Sequence, residues 1–283
     1  MAKEQKVPAA LDWKGARGET WRAQLNGIEG MLRAVDDPLI DALGLDAPYR
    51  IADIGCGGGG TSLAIFRRAP RGSAVHGFDV SPALVDVARA RLPPDERAVA
   101  FQVADVATAE PPEPPYDRMV SRFGIMFFDE PQQAFSRLRH WLAPSGRFAF
   151  ATWGAAAENP WSETVRDAVA EVVEIPAPIP DSPGPFRYAD SEQLMTLLRG
   201  AGFGELEVRD FRAALPMGGG LGAEAAAEFA LAAFSSFGAL LADAGEVARA
   251  HAREALVTRF SRHEKGGVVL LDAFVRIFTG TNP

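Results

Sequence analysis

The chain has 283 residues, of which 47% are hydrophobic and 23% charged, enough apolar material to bury one elaborated globular domain. Its net charge of −8, with no dense Lys/Arg run, sets it against a nucleic-acid backbone as a partner. A single cysteine, Cys56, excludes a disulfide framework or a multi-cysteine metal centre, and His76, His140, His251 and His263 show no ligand spacing, so no metal is expected. The opening MAKEQKVPAALDWKG lacks the apolar centre of a leader, and no run approaches the roughly 18 apolar residues that cross a bilayer. The expected address is the cytoplasm, as a monomer or a homodimer.

From residue 49 onward, short apolar runs alternate with amphipathic stretches, the pattern of βαβ units around a parallel sheet. YRIADI (49–54) reads as the first strand and 61–68 as the helix behind it. AVHGFDV (74–80) is the second strand. Ser81 then stands at the N-cap and Pro82 at the first helical position, with Leu84, Val87, Ala88 and Leu92 along one face. AVAFQVADV (98–106) and DRMVSRF (117–123) are the third and fourth strands, separated by a stiff surface connection, PPEPP (111–115). A helix over 131–142 places Ala134, Phe135, Leu138, Trp141 and Leu142 at helical spacing, and PSG (144–146) turns the chain into a fifth strand, RFAFATW (147–153).

There the rhythm breaks. Residues 154–188 read as an insertion, with a helix over 160–174 and an extended PAPIPDSPGP (176–185). A helix carrying Leu194, Leu197, Leu198 and Ala201 follows, then a strand over 205–213. Residues 216–265 form a second insertion, predicted as two helices, in which Phe229, Ala233, Phe234, Phe237, Leu240 and Leu241 make an apolar stripe suited to a helix–helix seam. VVLLDAFVRIF (268–278) brings the count to seven strands in one α/β domain with two helical cap insertions.

The chemistry concentrates in IADIGCGGGG (51–60). From Gly55 it matches G-x-G-x-x-G, and Asp79 follows Gly60 by 19 residues, the spacing of a dinucleotide site. Glycine-backed N–H groups at a helix N-terminus serve a pyrophosphate and an amino-acid carboxylate equally well. Asp53 separates the two. A carboxylate beside a pyrophosphate costs on the order of 1 to 4 kcal/mol at ~4 Å, whereas a ligand with a sulfonium and an ammonium reverses the sign. A nicotinamide oxidoreductase would also want a Y-x-x-x-K pair, and none of Tyr49, Tyr116 and Tyr188 has a lysine four residues on.

ADIGCGGG resembles the first motif of the class I S-adenosylmethionine-dependent methyltransferases, in their broad quinone-biosynthesis-like, small-molecule branch. Asp53, Asp79 and Asp105 end three consecutive strands at an even spacing of 26 residues, and the likeness covers about 49–153 plus the last two strands. The resemblance implies a Rossmann-like, mostly parallel seven-stranded sheet whose last strand is antiparallel, with helices on both faces. It implies that Gly55, Gly57 and Gly59 open the backbone to S-adenosylmethionine, and that Asp79 accepts both ribose hydroxyls with Val80 beside the adenine. Asp105 and Val106 would meet the adenine edge, and Ser121 would lie near the methionine moiety. Residues 1–48 resemble the leading helices that close over the cofactor, with Trp13 and Trp21 as lid candidates. Residues 49–283 are then the methyltransferase domain, capped at about 154–188 and 216–265.

The expected reaction moves a methyl group to an O, N or C atom of a small, partly apolar acceptor by in-line displacement, leaving S-adenosylhomocysteine. Alignment and exclusion of water carry most of such a step, so no catalytic side chain is singled out. Trp21, Arg122, Phe123, Met126, Phe127, Trp153, Asn159 and Trp161 are candidate acceptor contacts, Arg122 as anchor for an anion. Plain core packing explains Phe127 and Phe128 equally well. Cys56 reads as a small residue tolerated in the loop, and His251 and His263 as surface residues. The competing readings are an NAD(P)-dependent oxidoreductase and a protein that binds S-adenosylmethionine without methylating.

Overall fold

The computed structural model describes residues 12–177 and 179–283. Three N-terminal helices, α1 (Ala16–Ala23), α2 (Leu25–Leu32) and α3 (Asp36–Asp41), precede β1 (Arg50–Ile54), α4 (Gly60–Arg68), β2 (Ala74–Asp79), α5 (Pro82–Ala90), β3 (Val99–Val103) and β4 (Tyr116–Arg122). Then come α6 (Pro131–Trp141), β5 (Leu142–Trp153), α7 (Pro160–Ala170), α8 (Ser191–Gly200) and β6 (Gly204–Pro216). The C-terminal part holds α9 (Ala223–Ala233), α10 (Ser235–Ala244), α11 (Glu246–Ser261), β7 (Glu264–Lys265) and β8 (Val268–Thr281).

The main sheet has seven strands in the order β3-β2-β1-β4-β5-β8-β6, and the two-residue β7 pairs only with β8. β1 to β5 run parallel, and β8 is antiparallel to both β5 and β6, as expected of the last strand. Strand order reverses between β2 and β4 on either side of β1. That reversal opens a crevice at the carboxyl ends of β1 and β4, where open α/β sheets receive ligands. The strands are near-continuous apolar runs because both faces are covered: Ile51, Val75, Met119, Val120, Phe148 and Phe150 are fully buried.

The N-terminal helices are clasped to the second insertion through glycines. A Cβ on Gly30 would sit 2.8 Å from Gly219 Cα, and one on Gly27 2.6 Å from the Phe229 ring. The MGGG run at 217–220 is therefore a close backbone contact with α2, and it brings the cap to the crevice.

The second insertion contains three helices, not two. The chain leaves α9 at Phe234 (φ −89°, ψ 78°) and starts α11 after Gly245 (φ 89°). Ala223–Ala233 and Ser236–Ala244 meet at 93°, so the apolar stripe divides at this corner. Phe229, Ala233 and Leu241 are buried in the seam, while Phe234 and Phe237 turn toward the crevice. Among the described residues no single helix is long and apolar enough to cross a membrane.

Candidate cofactor and acceptor site

A cavity of about 1140 Å³ occupies the crevice between the sheet, the N-terminal helices and the α9–α10 corner. Its floor is the glycine loop after β1. The N–H groups of Gly55 and Cys56 donate to Phe78 O at 2.8 and 3.0 Å, binding the loop to β2. Gly55 (φ +70°) lies against the chain beyond β4, where an added Cβ would come within 2.9 Å of Gly124 Cα. Gly57 (φ +53°) lines the cavity, and a Cβ there would meet no protein atom within 4 Å. The space over Gly57 is thus left for a ligand to approach the backbone.

Asp79, at the end of β2, accepts Gly57 N–H at 2.8 Å on one carboxylate oxygen and Ser81 N–H at 2.9 Å on the other. Burial pushes its pKa up, and the backbone donors pull it back. These two bonds use two of roughly four lone-pair positions, and the carboxylate stands on the cavity wall. A paired acceptor of hydroxyl groups fits it. Ser81 occupies the N-cap of the following helix in extended conformation (φ −88°, ψ 110°), as expected, while its side chain makes no capping bond and its hydroxyl is buried without a partner.

Asp53 is 1% exposed and accepts the Ser62 hydroxyl at 2.6 Å. Burial raises its pKa to about 7, against the opposing pulls of Ser62 and then Arg122. The unfolded chain therefore gives up this proton first, from the ordinary 3.8, so stability falls as pH rises from about 4 to about 7 and is level above. Asp53→Asn should erase that fall, which is on the order of a few kcal/mol. Urea unfolding of both proteins across this range checks it, and parallel profiles would contradict it. A cation placed beside Asp53 would favour its charged form.

Val80 and Val106 line the cavity beyond Asp79, with Asp105 beside them. Asp105 accepts Ala107 N–H at 3.1 Å and faces Lys14 Nζ at 3.6 Å, an exposed pair linking the N-terminal segment to the loop after β3. Cys56 also lines the cavity, and burial, with the charges of Asp53 and Asp79, raises its pKa well above the usual range. It is a thiol there, not a nucleophilic thiolate.

The other half of the cavity is aromatic. Phe123 stacks on Trp153 (centroids 4.2 Å, planes 10° apart), Trp153 meets Trp161 at 4.8 Å, and Trp161 meets Phe234 of the cap at 5.2 Å. Trp21 and Trp13 contact each other at 5.3 Å, and Trp13 contacts Phe127 at 5.1 Å. Arg17 lies over the Trp13 and Phe127 rings at 4.4 and 4.8 Å, its pKa lowered to about 10 by burial. Met126 and Phe128 complete this side, where Phe128 also packs on Phe135 of the core.

The Methyltransferase domain family matches residues 51–146, which span β1 to the start of β5. Over that stretch the chain is similar to a methyltransferase domain. Over 111 residues it is 37% identical to a trans-aconitate 2-methyltransferase of Methylobacterium nodulans, covering 39% of this chain and 41% of that protein. The chain thus spans about half or less of the curated relatives it matches. The phosphoethanolamine N-methyltransferase 2 of Haemonchus contortus, solved with S-adenosyl-L-methionine, shares the fold at a TM-score of 0.60 and 18% identity, covering 98% of this chain and 61% of that one. The [4+2]-cyclase SpnF shares it at 0.59 and 17%, covering 98% of each.

The cavity gathers Asp53, Gly55, Gly57, Asp79, Val80, Asp105 and Val106 from the cofactor residues expected, and Trp21, Arg122, Phe123, Met126, Phe127, Trp153 and Trp161 from the acceptor residues. Three expectations are corrected. Gly59 (φ +81°) faces away from the cavity: a Cβ would come within 2.7 Å of the Phe101 ring and 3.0 Å of Ala88 Cβ, so its lack of a side chain serves packing against β3 and α5. Ser121 is fully buried and donates to Ile54 O at 2.7 Å, tying β4 to β1 instead of reaching the cavity. Asn159 is also fully buried. Its amide N–H donates to Phe274 O at 3.2 Å, and its oxygen accepts Phe274 N–H at 3.0 Å and the Trp161 indole at 3.2 Å, so it fixes the Trp161 ring from behind.

Arg122 keeps its place on the wall, but its guanidinium donates to Asp36 of α3 at 3.0 Å, and Asp36 also accepts the Thr61 hydroxyl at 2.9 Å. A resident carboxylate thus holds the charge expected to anchor an anion. Sequence reasoning missed Arg17 and Glu29. Trp13, Arg17 and Trp21 recur every four residues, the spacing of one helix face, and that signal was available. Glu29 of α2 accepts Arg91 at 2.8 Å beside Gly58 and lines the cavity, a contact that spans 62 residues and leaves no local sign. His251 and His263 are exposed, as expected.

Proposed function

We propose that the protein uses S-adenosylmethionine to methylate an O, N or C atom of a small, partly apolar molecule. The observation that carries the reading is one cavity whose two halves differ. One half joins the open space over Gly57 to the carboxylates of Asp79 and Asp53, and the other is walled by aromatic rings. In this reading Asp79 holds the ribose hydroxyls, Val80 and Val106 flank the adenine, and Asp53 supplies negative charge toward the cationic part. The bound cofactor supplies a methyl group on a sulfonium, which an aligned acceptor takes up without a metal. The aromatic half excludes water and orients the acceptor. Residues 12–48, with Trp13 and Trp21, act as the lid, and the residues before them lie outside those described.

The nicotinamide reading finds no tyrosine in the cavity. Tyr116 is buried and hydrogen-bonded to His76, Tyr188 is buried, and Tyr49 donates to Asp46 at the surface. Titration with S-adenosylhomocysteine should raise the melting temperature. At 100-fold excess over Kd the gain is about 2.7 kcal/mol, or roughly 5–10 °C for a chain of this size. NAD(H) and NADP(H) should leave it unchanged, and the reverse pattern would overturn the reading.

A further inference from the structure

The acceptor half of the cavity is specific enough to name a substrate class. It has a continuous ring wall running from the sheet to the cap: Phe123, Trp153, Trp161 and Phe234, each within 5.2 Å of the next. Phe123 is a non-glycine residue at φ +67°, held by its N–H to Ala151 O at 3.0 Å. Such a conformation persists only where the surroundings enforce it, and here it sets the ring flat against Trp153. Trp161 is fixed by Asn159 from behind and faces Phe186 of the first insertion at 5.9 Å. The opposing surface is the α9–α10 corner, where the 93° bend directs Phe234 and Phe237 into the cavity.

Charge at this end is mixed in sign. Glu163 and Arg166 of α7 are one of each, Arg17 lies over the Trp13 and Phe127 rings, Asp129 and Glu130 follow Phe128 on the wall, Arg122 is paired with Asp36, and Lys14 faces Asp105. Among the described residues the cations and carboxylates lining this half are interspersed, a mixture that favours neither a polyanion nor a multiply charged cation. The cavity of about 1140 Å³ exceeds the roughly 300–1,000 Å³ of a typical single-ligand site, leaving room for a sizeable acceptor beside a cofactor.

Resting on the proposed function, we propose that the acceptor is a flat, conjugated or aromatic ring compound with at most one charge, selected by the α9–α10 corner through Phe234 and Phe237. Ring faces gain from offset and edge-to-face contacts that a saturated ring or a flexible polyacid does not make. The class differs from the tricarboxylate in the name of the Methylobacterium relative and from the phosphoamine in that of the Haemonchus enzyme.

Calorimetry on the full chain saturated with S-adenosylhomocysteine tests this with four probes: alizarin (flat aromatic), decahydro-2-naphthol (saturated rings), trans-aconitate (polyanion) and choline (cation). Alizarin should bind at least tenfold more tightly than the other three. Phe237→Ala and Trp161→Ala should each weaken alizarin at least fivefold while changing S-adenosylhomocysteine affinity less than twofold. Phe237 lies at the cap corner, so its variant remains informative if Trp161→Ala fails to fold. Absence of S-adenosylhomocysteine binding would sink the proposed function itself. Normal binding of it with equal or tighter binding of trans-aconitate, choline or the saturated alcohol would overturn the ring-acceptor assignment alone, as would an alizarin affinity unmoved by Phe237→Ala.

Discussion

Asp79→Ala is expected to lower the affinity for S-adenosylhomocysteine by a factor of about 10²–10⁴, from the loss of two hydrogen bonds to a charged acceptor at about 1.5–3 kcal/mol each. The change also frees Gly57 N–H and Ser81 N–H, which Asp79 holds at 2.8 and 2.9 Å, so the glycine loop and the start of α5 loosen together. Asp79→Asn separates the two effects. Its remaining carbonyl oxygen can keep one backbone donor, so the fold should be largely retained while affinity still falls. Calorimetric titration reads the affinity, and the ligand-free melting temperature reads the loop. An Asp79→Asn variant that binds like the unmodified protein would show that this carboxylate does not hold the ribose.

The second large effect is expected at Gly55. Alanine there would occupy a left-handed position, at about 1–2 kcal/mol, and its methyl would meet Gly124 Cα at 2.9 Å, backbone that cannot rotate away. Gly55→Ala should cost roughly 3–4 kcal/mol, lower the melting temperature by roughly 6–16 °C and abolish the ligand-induced shift. Gly57→Ala is the contrast. Its φ of +53° carries the same left-handed cost, but its methyl would enter open space on the cavity side. The melting temperature should drop only about half as far, while cofactor affinity falls at least tenfold. Thermal melts of the two variants with and without S-adenosylhomocysteine check the pair, and equal destabilisation would remove the distinction between a packing glycine and a ligand-facing one.

Much of the fold is legible in the chain because its drivers are local. Buried parallel strands are short apolar runs, Pro82 and Pro131 open helices at the first turn, and an acid at a strand's carboxyl end stands at the crevice wherever the sheet is wound. Asp79, Val80, Asp105 and Val106 were therefore placeable. The misplaced residues share a different physics. Ser121 and Asn159 are polar residues near strand ends, as pocket residues would be, yet each satisfies buried backbone groups on elements 67 and 115 residues distant. Arg122 likewise meets its carboxylate 86 residues away. Gly59 belongs to the same run as Gly57, and only the third dimension sets Phe101 against one and open space against the other. The break at Phe234 lies in an Ala-rich stretch without proline to mark it, at the corner where Phe234 packs against Trp161.

On the proposed reading this cavity takes a cationic methyl donor by its ribose and amino-acid ends, and not a nicotinamide dinucleotide. Calorimetric titration of the full chain with S-adenosylhomocysteine and, on the same sample, with NADH tests it directly. Saturable binding of the first at one site per chain, with no heat from the second, is the predicted result. Binding of NADH without S-adenosylhomocysteine would contradict it.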